Sequence, residues 1–134
     1  PEINLFNEKN NGETILKLID NKFVKAAHDV SLGGIITALS KMCIKGKKGA
    51  VLKKPNYLIN QFEYLFGEDQ GRYIIEVDKS DLQDVIKVLS ENSVHFDELG
   101  TVNNDNLIID DKTKVSIDDL IKSHTTWLTN YMSK

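Results

Sequence analysis

The chain has 134 residues, 40% hydrophobic and 28% charged, which suits a single globular domain able to bury a core without staples. A net charge of −3 leaves no basic stripe of the kind that displaces counterions from phosphates, and no apolar run nears the ~20 residues of a membrane helix. Cys43 is the single cysteine, which excludes an internal disulfide and a cysteine-based zinc site, so the expectation is a cytoplasmic protein with neither nucleic acid nor membrane as partner.

Taken in chain order, the periodicity predicts a weak helix over Asn11 to Asp20 and a short strand over Val24 to His28. Ile35, Ile36, Leu39, Met42 and Cys43 form one helical stripe. The densest basic run, Lys45, Lys47, Lys48, Lys53 and Lys54, is broken by glycine and a strand over Ala50 to Leu52, and reads as a solvated loop. Asn56 to Leu65 suits a further helix. Arg72 to Val77 is the strongest strand, nearly continuous in apolar residues as expected for cover on both faces.

Ser80 and Gln83 read as a capping box for a helix with Leu82, Val85, Ile86 and Leu89 on its apolar stripe. Phe96 to Val102 and Leu107 to Ile109 flank Asn103-Asn104-Asp105-Asn106, which predicts a hairpin, and Lys114 and Val115 suggest an edge strand. Ser116 is placed to cap a last helix whose stripe is Ile117, Leu120, Ile121, His124, Leu128 and Tyr131. The fold class is α/β (α+β), a mixed sheet packed by helices.

Two segments carry chemistry. Ala26-Ala27-His28-Asp29-Val30-Ser31-Leu32-Gly33-Gly34 runs from a strand into a helix, and glycines at such a turn let backbone N–H groups approach an anion. Asp29 could hold a hard cation there; equally, Ser31 could cap the helix, with Asp29 favouring its dipole and His28 a packing residue. In Leu65-Phe66-Gly67-Glu68-Asp69-Gln70-Gly71-Arg72, Glu68, Asp69 and Gln70 offer oxygens and an amide to a polar ligand. Arg72 could grip an anion, or brace the loop against Glu68 or Asp69. Spacing alone does not choose between them.

Together, "AAHDVSLGGIITALSKM" and "LFGEDQGRYIIEV" resemble the last domain of the phosphoribosylformylglycinamidine synthase family, within the aminoimidazole ribonucleotide synthetase-like superfamily. "NGETILKLI" looks like that domain's first helix and "ELGTVNNDNLIID" like its closing hairpin, so the likeness covers most of the chain. The resemblance implies a C-terminal domain cut from a larger multidomain ligase of purine biosynthesis, one that uses ATP and magnesium to activate an amide oxygen of formylglycinamide ribonucleotide, which glutamine-derived ammonia replaces. Small-type relatives take that ammonia from a separate glutaminase subunit with a small accessory subunit, and the preceding β-rich and α/β domains would be this chain's other partners.

By the pseudo-symmetry of the family's halves, Asp29 falls at the metal position and Glu68, Asp69 and Gln70 at a substrate-touching loop, with Gly33, Gly34 and Arg72 beside them. This copy resembles the second half, where nucleotide is auxiliary, and Leu32 stands where the family's run reads Asp, as in His-Asp-Val-Ser-Asp-Gly-Gly. The expectation is an isolated domain with no catalytic residue of its own that holds no cofactor tightly. The rival readings are the matching domain of another relative and a free-standing binding module.

Overall fold

Residues 3–53 and 60–133 are described by the computed structural model. In chain order they form α1 (Leu5–Asp20), β1 (Val24–Asp29), α2 (Gly34–Gly46), β2 (Gly49–Leu52), α3 (Gln61–Phe66), β3 (Tyr73–Val77), α4 (Leu82–Glu91), β4 (Gly100–Asn103), β5 (Asn106–Ile109), β6 (Thr113–Ser116) and α5 (Ile117–Met132). They group into two compact units, one drawn from Pro1–Leu39 and Asn60–Asp97, the other from Ser40–Ile59 and Glu98–Lys134.

In the first unit β1 pairs antiparallel with β3. Val24 faces Val77 while Ala26 faces Glu76, so Lys25 is an extra residue bulged out of the ladder. Its ammonium lies 3.0 Å from the Asp78 carboxylate, whose hydrogen bond and charge hold the Lys25 pKa above the ordinary lysine range. Leu18 of α1 and Val85 and Leu89 of α4 are the buried centre, with Phe23, Val24, Ile75, Val77 and Val88 packed around them. Leu18, Val85 and Leu89 each contribute about 1.5–3 kcal/mol through removal from water, and the partly buried side chains less.

Helix α1 begins six residues before the predicted start. Asn4 caps it, accepting from Asn7 N–H at 3.0 Å. Two asparagines tie the helix to distant backbone, Asn10 donating to the Asn92 carbonyl at 2.8 Å and Asn11 to that of Gly71 at 2.9 Å. Strand β3 departs from expectation too: Ile74 is buried, but Tyr73 is exposed and the remainder half-buried, because it belongs to a two-stranded sheet rather than to the middle of a larger one. The Ser80–Gln83 capping box does not form. The turn closed by Asp81 N–H on the Asp78 carbonyl delays α4, Asp81 takes the cap position, and Ser80 bonds its side chain instead. The predicted helix from Asn56 is seen only as α3; residues 56–59 lie outside the described residues.

The second unit holds the mixed sheet, in the order β4-β2-β5-β6. Strand β2 runs antiparallel to β4 and parallel to β5. The predicted hairpin of β4 with β5 is therefore overturned, since β2 lies between them. Three extended Cα steps reach roughly 10 Å, two inter-strand spacings of about 4.8 Å, so the short link from Asn103 to Asn106 spans the gap. Asn103 Oδ1 holds the link by accepting from the N–H groups of Asp105 and Asn106 at 3.0 and 3.1 Å. Gly49 passes beneath it, where an added Cβ would lie 2.2 Å from both Asn103 Oδ1 and the Asn106 carbonyl oxygen. The true hairpin comes next: Lys112 N–H meets the Ile109 carbonyl at 3.1 Å, with Asp110 and Asp111 both left-handed, and β6 returns along β5.

Ser116 caps α5 as predicted, accepting from Asp119 N–H at 3.1 Å and donating to its carboxylate at 2.7 Å. The predicted apolar stripe of α5 is buried only at Ile117; Leu128 and Tyr131 are exposed.

Gly49→Ala should destabilise the protein by about 1–3 kcal/mol in urea denaturation, because the new methyl meets backbone atoms with no room to yield. Gly46→Ala, with open space at the same atom, should be neutral or stabilising by up to about 1 kcal/mol. Cys43 is buried in α2 and should react slowly with thiol reagents until denaturant exposes it, as followed by mass shift.

Candidate functional site

The two chemistry-bearing segments meet in the first unit because β1 and β3 end side by side. Asp29 pairs with Tyr73, and one step beyond, Val30 N–H donates to the Arg72 carbonyl at 2.8 Å. The chain then turns through Ser31–Gly34, closed by Gly34 N–H on the Ser31 carbonyl at 3.0 Å. Gly33 and Gly34 both take left-handed φ angles, +82° and +69°. At Gly34 a Cβ would stand 2.6 Å from the Leu65 carbonyl oxygen and 2.7 Å from Phe66 Cα, so a side chain there would drive the turn off the end of α3.

Glu68 then closes the contact, its Oε1 accepting from Gly33 N–H at 2.7 Å. A carboxylate thus sits at the N-terminus of α2, where unpaired backbone donors and the helix dipole favour negative charge. Ser31, one candidate cap in the sequence, enters the turn through its carbonyl, and the carboxylate beside the helix start comes from the other segment.

Arg72 braces the same loop. One guanidinium nitrogen bonds the Gly67 carbonyl and lies 3.2 Å from Asp69 Oδ2, while Nε approaches the Asp69 carbonyl at 3.4 Å. Of the two partners the sequence offered, Asp69 is the one used. Asn11, which sequence reasoning missed, holds the Gly71 carbonyl from α1; nothing in its spacing signals that reach.

The remaining candidates are open to solvent. Asp29 projects an exposed carboxylate, 3.4 Å from His28 Nδ1, and that nitrogen is 2.6 Å from the Asp29 carbonyl oxygen, to which it can donate. Gln70 is exposed. Leu32 at the tip of the turn is 79% exposed, and Phe62 and Phe66 of α3, stacked with centroids 6.4 Å apart, are exposed as well. Among the described residues no three of His, Cys, Asp and Glu converge as a metal-binding group.

Residues 1–112 match the family described as AIR synthase related protein, C-terminal domain. The chain belongs to that family. Within the AIR synthase related group it is 86% identical, over 132 residues, to the phosphoribosylformylglycinamidine synthase subunit PurL of Pelagibacter ubique (strain HTCC1062). It is 39% identical over 134 residues to the PurL subunit of Bartonella quintana (strain Toulouse). These alignments cover 98% and 100% of the chain but 18% of each relative, so the chain spans less than a fifth of their length. Among solved structures, T. maritima PurL complexed with FGAR superposes with a TM-score of 0.73 at 21% identity, over 85% of this chain and 21% of that one. T. maritima PurL complexed with ATP gives 0.72 at 19% identity, over 84% and 21%. At that identity the superpositions establish the α+β fold of the family and nothing finer.

Arg72→Lys replaces a planar fork with a point charge, so it should lower stability by about 1 kcal/mol and speed hydrogen exchange across residues 66–72. Glu68→Ala should cost about 0.5–2 kcal/mol, as for loss of a helix cap, and expose Gly33 N–H to exchange while β1 is unchanged.

Proposed function

We propose that this chain is the C-terminal α/β domain of a phosphoribosylformylglycinamidine synthase, the ATP-dependent ligase that converts formylglycinamide ribonucleotide to its amidine in purine biosynthesis. The observation that carries the reading is the 86% identity, over nearly the whole chain, to a synthase subunit. In that reaction the glycinamide carbonyl oxygen leaves with the terminal phosphoryl group of ATP and ammonia takes its place, giving amidine, ADP and phosphate, with the formyl group retained. The rest of the parent chain, a glutaminase subunit and a small accessory subunit are its proposed partners, and the cytoplasm its proposed location.

The turn fits a magnesium–nucleotide site poorly. Gly33 N–H is already taken by the Glu68 carboxylate, and the residue between Ser31 and Gly33 is an exposed leucine, which can neither ligate a cation nor accept a hydrogen bond. Asp29 alone among the turn residues offers a carboxylate to a cation, and one monodentate ligand holds magnesium weakly. ATP and magnesium are accordingly assigned to the whole enzyme. In this domain Glu68, Asp69 and Arg72 set the shape of the loop, with Gly33 and Gly34 seating it on α3; Asp29 and Gln70 remain the polar side chains open to a ligand. A free-standing binding module is the alternative, and it predicts the opposite outcome below.

The parent protein supplied with formylglycinamide ribonucleotide, ammonia, ATP and magnesium should form the amidine, detected by mass. The 134-residue chain should hydrolyse no ATP above a heat-denatured control and show no submicromolar ATP affinity by calorimetry. Turnover or tight binding by the 134-residue chain would overturn the assignment.

A further inference from the structure

Helix α5 presents an apolar face that its own unit leaves uncovered. Only Ile117, at its first position, is buried. Further along, Trp127, Leu128, Tyr131 and Met132 are 61%, 53%, 69% and 74% exposed. Trp127 with Tyr131 and Leu128 with Met132 are four apart, so the four side chains form one continuous stripe. From Ser123 to Ser133 the helix carries no aspartate, glutamate, lysine or arginine; Thr125, Thr126, Thr129 and Asn130 make up its other face.

Charge, area and extent select the occupant. A helix that lies on anionic lipid carries several lysines and arginines on its polar face, and this one has Lys122 alone, one turn before the stripe, with Asp118 and Asp119 in its first turn. The stripe exposes on the order of 500 Å², short of the ~800 Å² per partner of a stable interface between separate molecules. A patch of that size suffices when its partner is tethered on the same polypeptide, because tethering raises the effective concentration. The family match ends at residue 112, before β6 and α5, whereas the Bartonella quintana relative aligns over all 134 residues while the chain covers 18% of its length. Helix α5 is thus shared with the long synthase subunits and lies beyond the common domain, and some four-fifths of such a subunit is available to cover it.

We infer that α5 docks, through Trp127, Leu128, Tyr131 and Met132, into an uncharged apolar groove on the remainder of the parent polypeptide. The inference rests on the chain being part of a longer synthase, and its readout is exchange protection rather than turnover, so failure of the two readings can be told apart.

Hydrogen exchange would be followed in a peptide covering residues 123–133, in the 134-residue chain and in the full-length parent. Exchange should be slowed about tenfold or more in the parent relative to the isolated chain. In the parent, Trp127→Ser with Tyr131→Ser should abolish that protection, while the same pair leaves the urea midpoint of the 134-residue chain unchanged. The wild-type comparison stands even where the double variant fails to fold. Equal exchange in the two wild-type proteins would overturn the inference. So would protection that appears only with added partner subunit, or protection in the 134-residue chain that rises with concentration as it sediments as a dimer.

Discussion

Glu68 reaches back thirty-five positions along the chain to accept the N–H of Gly33, and the geometry of the candidate site hangs on that closure. The pairing of β1 with β3 brings the two loops within reach, but a ladder fixes only the residues inside it. Beyond its end the chain has few buried apolar side chains to set its course. Polar bonds take over: Glu68 to Gly33, Val30 to Arg72, and Arg72 to Gly67 and Asp69. Each is worth about 1 kcal/mol, more where a charge takes part, and together they set the course of the Ser31–Gly34 turn and of the loop that carries Gln70.

The same closure changes what the turn can bind. A glycine-rich strand-to-helix turn is an anion site when its donors are unspent, and here a donor is spent on the protein's own carboxylate. Leu32 acts in the same direction, as do Phe62 and Phe66 on the adjoining helix. The surface around a turn that reads as phosphate-cradling in the sequence is apolar at its tip and internally neutralised at its base.

The parts legible in sequence are those governed by local rules. Ser116 caps α5 through a bond three residues long, and the amphipathic stripes of α2 and α4 mark their buried faces. Strands β1, β2, β3, β5 and β6 fall on the short segments predicted for them. What escaped depends on partners distant in sequence. The reach of Asn10 to the Asn92 carbonyl and of Asn11 to that of Gly71 has no signal in local spacing. The Asn103–Asn106 turn looks like a hairpin because the residues that make it tight are the same whether or not a third strand passes underneath. The stripe on α5 is a true helical stripe, but periodicity cannot tell cover by the same domain from cover supplied by something else.

That passing strand bears on how the chain reaches its fold. Strands β4 and β5 are neighbours in sequence, and two such segments zip together within microseconds of meeting. Strand β2, separated from β4 by residues 53–99, arrives more slowly because a long loop must close first. Any β4–β5 hairpin formed early has its ladder bonds in the wrong place and must open before Gly49 can slip beneath the turn. On this topology, refolding of the second unit is expected to be slower whenever that local pairing forms first. Synthesis from the N-terminus eases that conflict, since β2 leaves the ribosome ahead of both strands it must separate.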